Sequence, residues 1–110
     1  DTLTKGTLYT FKSDNTWTPA DASAVGTSTG LLGIALGTGV TDGILLKGMV
    51  TLNHDPGTIG DVLYLSPTAG QITSTIPTTA GEIVRIMGYC LNSSSGLIWY
   101  NPDSIWIELS

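Results

Sequence analysis

The chain reads as all-β, a small barrel or sandwich of about ten short strands. Three observations predict this. Gly, Pro or Asn interrupts the sequence at intervals too short for a helix of about ten residues. The apolar residues alternate or cluster in short runs and show no helical spacing. The surface polar residue is mostly Thr, whose branched Cβ suits a pleated sheet.

The strands follow in order. "GTLYTF" at 6–11 opens the chain, and "TWT" at 16–18 is a short extended piece after the turn "SDN" at 13–15. "PADASAVG" at 19–26 is a loop or one helical turn, since Pro suits a first turn. "LLGIAL" at 31–36, "GILL" at 43–46 and "GMVTL" at 48–52 follow, with "TDG" at 41–43 turning between the first two. "NHDPG" at 53–57 is a turn, then come "DVLYL" at 61–65, the turn "PTAG" at 67–70 and "QITST" at 71–75. "IVRIMGYCL" at 83–91, "LIWY" at 97–100 and "IWIEL" at 105–109 close the chain, separated by "NSSSG" at 92–96 and "NPD" at 101–103.

The sequence also repeats itself. Tyr9 and Tyr64, Trp17 and Ile72, Thr18 and Thr73, and Gly33 and Gly88 are each 55 positions apart. "LGIAL" at 32–36 faces "MGYCL" at 87–91 at that offset, and the apolar runs "GILLKG" and "GLIWYN" come shortly after each. The chain of 110 residues thus divides into halves 1–55 and 56–110 that are variants of one β unit. A few strands cannot hide an apolar face alone, so the two halves are expected to close on each other as a single domain. The Gly inside each apolar run marks a bend or a close backbone approach.

Composition narrows function. Charged residues are only 12% and the net charge is −5, so docking on another protein costs little desolvation. That points to permanent assembly, with a secreted β-domain as the alternative. The four basic residues, Lys5, Lys12, Lys47 and Arg85, are scattered, which argues against a nucleic-acid partner. No apolar stretch reaches the 18 to 20 residues of a membrane helix. The first residue is Asp, which leaves open processing or a piece of a longer chain. Cys90 is the one cysteine and reads as a small buried hydrophobe in a protein assembled in a reducing cytoplasm.

No catalytic constellation emerges. His54 beside Asp55 sits in a Pro-Gly turn, no Ser lies in a Gly-x-Ser-x-Gly elbow, and the Asp residues mostly occupy turns. "GLLGIALGTG" at 30–39 lacks the Lys-Ser/Thr of a phosphate loop. The expectation is a non-enzyme without metal or cofactor. Trp99, Tyr100 and Trp106 crowd the last twelve residues. They read as hairpin aromatics in a core or a subunit interface, with exposed sugar-stacking aromatics as the rival reading.

Together, "SDNTWTPADASAVGTSTGLLGIALG", "GILLKGMVTL", "GDVLYLSPTAGQIT", "VRIMGYCL" and "IWYNPDSIWIEL" resemble, in this order, a structural module of tailed-phage virion proteins. Such modules occur in phages of cyanobacteria and marine bacteria. More distantly the scheme is similar to capsid decoration, or cement, proteins: small β-rich domains that sit as trimers on the head shell. The resemblance covers nearly the whole chain, and its motifs are structural.

The resemblance implies a non-enzymatic virion protein on the capsid surface, assembled in the host cytoplasm. Its expected partners are the major capsid protein and two further copies of itself, with no nucleic acid and no membrane. The expected contacts are Trp99, Tyr100 and Trp106 with the N-terminal Asp1, Thr2, Leu3, Thr4 and Lys5. A long polar arm of the kind some cement proteins lay along the shell is missing, and only these five N-terminal residues could serve. The alternative is a receptor- or glycan-binding tip of a tail or head fibre.

Overall fold

Strand formation follows the β-branched and aromatic runs closely. The computed structural model describes residues 2–92 and 94–109. Among these residues eleven strands form three antiparallel sheets. The first sheet has the order β2-β1-β3-β4, where β1 is Leu8–Phe11, β2 Trp17–Pro19, β3 Leu32–Ala35 and β4 Ile44–Leu45. The second has the order β5-β10-β9-β6-β7, with β5 Gly48–Thr51, β6 Val62–Leu65, β7 Ile72–Thr73, β9 Ile86–Asn92 and β10 Leu97–Tyr100. A two-stranded ladder joins β8 (Ile83–Val84) to β11 (Ile107–Glu108). The sheets do not close into a barrel. Of the two architectures left open by the sequence, the sandwich fits.

The internal repeat appears as topology. The order β2-β1-β3-β4 recurs as β7-β6-β9-β10, each strand about 55 residues after its counterpart. The extra strand β5 crosses from the first half and pairs with β10. The main core draws on both halves: Leu8, Leu32 and Ile34 pack with Leu63, Leu65, Ile72, Met87, Ile98 and Tyr100.

The first sheet is apolar on its other face too. There Tyr9 and Ala35 are buried under Leu3, with Trp17 and Ile44 alongside. The N-terminal segment is fastened over them by hydrogen bonds from Leu3 N to Thr38 O (2.8 Å), Gly6 N to Ala35 O (2.9 Å) and Thr4 N to the Tyr9 hydroxyl (2.7 Å). Residues 2–6 therefore lid the first sheet.

The run at 83–91 divides into β8 and β9 at Arg85. Alternation carries this residue to the inner side, where it is buried. Its Nε donates to Asp103 O (2.7 Å), and one terminal nitrogen donates to Ser28 O and Gly30 O (3.0 Å each). A buried cation held by carbonyls ties the loop at 28–30 and the loop at 101–104 to the junction of β8 and β9. The run at 19–26 is mostly loop, followed by a single 3-10 turn at Val25–Thr27.

The glycine expectation is met at Gly88, whose φ is +142°. A Cβ there would lie 1.8 Å from the Trp99 carbonyl oxygen. Only a residue without a side chain lets β9 and β10 approach so closely.

Candidate functional site

The second sheet buries one face in the core and leaves the other open. Along β10, Ile98 and Tyr100 point inward and fully buried, while Leu97 and Trp99 point outward. Pairing sets Met49, Trp99, Tyr89 and Val62 in one row across four strands. Met49 is 67% and Tyr89 49% exposed. Thr51 pairs with Leu97, and Tyr64 with Ile86, so these outward positions carry no acid or base. The first sheet is covered by the chain's own N-terminal segment, and this face is not.

A groove of about 490 Å³ lies at one end of that face, lined by Ile86, Gly88, Tyr89, Trp99 and residues 101–104. Its far side is positioned by backbone bonds from Asn101 N to Met87 O (2.9 Å) and from Asp103 N to Ile86 O (2.8 Å).

A second exposed apolar feature is the C-terminal stretch. Ile105 is 72%, Trp106 38% and Ile107 61% exposed. Among the described residues strand β11 pairs only with β8, and its other edge has no strand beside it. Unprotected apolar edges of this kind are docking elements or aggregation risks.

The expected contact residues divide. Trp106 is exposed, Trp99 is half-buried on the open face, and Thr2, Thr4 and Lys5 are exposed. Asp1 lies outside the described residues. Leu3 and Tyr100 require correction. Leu3 is 2% exposed because it caps the first sheet, and Tyr100 is 0% exposed because it faces the main core. Neither offers surface to a partner. Met49, Tyr89, Ile105 and Ile107 were missed. Alternation from Met87 would have turned Tyr89 inward; the pattern shifts at Gly88 and leaves Tyr89 exposed, and its pairing with Trp99 could not be read.

Three ionisable groups, His54, Cys90 and Tyr100, are shifted by burial. Nε2 of His54 accepts the Ile72 backbone N–H (3.0 Å), and its Nδ1 lies 2.7 Å from Asn53 Oδ1. This arrangement requires neutral imidazole with the proton on Nδ1, and burial holds its pKa below the ordinary histidine value. Cys90 is buried, its thiol pKa is raised by burial, and it behaves as a core residue. Burial also pushes the Tyr100 hydroxyl well above the usual tyrosine range, with the Arg85 charge partly opposing. That hydroxyl has no hydrogen-bond partner among the described residues. Among the described residues no three His, Cys, Asp or Glu side chains group as a metal site, and no helix is long and apolar enough to cross a membrane.

Among the described residues the surface features are a sheet face without charged side chains, a groove at its end and an exposed apolar C-terminal stretch that leads into β11. The chain matches no family model, no curated protein and no solved structure.

Proposed function

We propose that this chain is a non-enzymatic structural protein of a tailed-phage virion, a cement protein that stabilises the head shell by bridging capsid subunits. The resemblance of its segments to virion modules supplies the class. The observation that carries the reading is the C-terminal stretch Ile105, Trp106 and Ile107, three consecutive exposed apolar residues that lead into the short strand β11. Burying each large side chain contributes about 1.5–3 kcal/mol, and several copies in one closed assembly act together. A shell clamped in this way cannot expand or rupture without breaking those contacts. A homotrimer suits the local threefold points of a capsid lattice.

Gold-labelled antibody on intact particles tests the location. Label over the head surface is expected. Label confined to fibre ends overturns the cement reading in favour of a fibre tip. On stripped shells, the variant Ile105→Ser/Ile107→Ser is expected to bind at least about tenfold more weakly than the unaltered protein.

A further inference from the structure

The groove on the second sheet has two unlike walls. Trp99 and Tyr89 stand directly opposite each other on β10 and β9, both on the outer face. Beside them the Gly88 backbone lines the groove. The other wall is polar. No hydrogen bond occupies the Asn101 amide or the Ser104 hydroxyl among the described residues, and Asp103 gives Oδ1 to the Ile105 N–H (3.1 Å). Both walls are fixed, since the backbone of 101–103 is bonded to β9 and Arg85 grips the Asp103 carbonyl from inside. At about 490 Å³ the space falls within the range of small-molecule sites.

We propose that this groove binds a neutral carbohydrate of one or two pyranose rings. A pyranose has a C–H face that packs on the electron-rich face of an aromatic ring. Its rim of hydroxyls needs both donors and acceptors, and an amide, a carboxylate and a hydroxyl supply them. The alternatives fit worse. A purely apolar segment leaves Asn101, Asp103 and Ser104 desolvated and unpaired. A phosphate meets no lysine or arginine in the lining. A basic peptide meets a single carboxylate, Asp103, whose Oδ1 already accepts the Ile105 N–H. The inference is independent of the cement reading, because the groove is separate from the 105–107 edge and holds for a head or a fibre location alike.

The test is an NMR titration of the whole chain with glucose, galactose, mannose, N-acetylglucosamine, maltose and lactose in turn. At least one sugar is expected to shift the amides of 86–89 and 99–104 and the Trp99 indole N–H, with roughly millimolar affinity. Trp99→Ala should weaken that binding at least about tenfold. Asp103→Asn keeps the Oδ1 acceptor for Ile105 and so preserves the fold, and it should also weaken binding about tenfold. No shifts with any sugar, shifts confined to another surface, or affinities untouched by both substitutions would each overturn the proposal. So would shifts at the groove from the capped peptide Ac-Leu-Arg-Leu-NH2 and none from the sugars.

Discussion

Tyr100 carries a hydroxyl that is fully buried and bonded to nothing among the described residues. A buried unpaired hydroxyl costs roughly 1–3 kcal/mol of desolvation. Tyr100→Phe is therefore expected to leave stability unchanged or raise it by about 1 kcal/mol, read from the urea midpoint at constant m-value. A loss above about 1 kcal/mol would mean that a buried water bonds the hydroxyl. His54 gives a second residue-scale outcome. It is the single histidine, and its folded pKa lies below its ordinary value. As pH falls below about 6.5, the unfolded chain takes up the proton before the folded one. The His54 contribution is thus fully present above that pH and is lost as pH falls through the folded pKa. Urea midpoints should drop between about pH 7 and pH 5, and His54→Gln, whose amide oxygen can accept the Ile72 N–H, should remove that drop. An equal drop in the variant would assign it elsewhere.

At the scale of elements, the strands were legible because each is a short run of β-branched or aromatic residues between turn residues. The run at 83–91 was read as one strand because its apolar residues continue on both sides of Arg85. What an apolar run cannot show is that the guanidinium at its middle reaches the carbonyls of Ser28, Gly30 and Asp103. The groove was illegible for a similar reason: Tyr89 and Trp99 meet only through the pairing of β9 with β10. That pairing depends on Gly88. Gly88→Ala would place a methyl 1.8 Å from the Trp99 carbonyl oxygen, so a loss of about 3 kcal/mol or more is expected from urea unfolding. A loss under about 1 kcal/mol would show that the two strands can separate without cost. The N-terminal lid makes a different claim. Leu3→Ala should cost about 2–4 kcal/mol, the usual range for a buried leucine, whereas a freely hanging arm would lose almost nothing. Thermal and urea unfolding both report it.

The whole molecule is a duplicated β unit whose two sheets were treated differently. The 55-residue echo was visible in the sequence as Tyr9 with Tyr64 and Gly33 with Gly88, and it returns as one strand order used twice. The asymmetry was not visible. Residues 2–6 cover the outer face of the first sheet, while the second sheet and the 105–107 edge stay open. Spacing places a leucine near a strand, but only the folded chain decides which face it covers. A rigid block with exposed apolar features suits a clamp between larger proteins, and the central claim is that this clamp holds a capsid together. The most direct measurement is the rupture temperature of phage heads stripped of this protein and of the same heads after it is added back. The account predicts rupture at a lower temperature in stripped heads and restoration on re-addition. Unchanged rupture, together with lost adsorption to host cells, would contradict it.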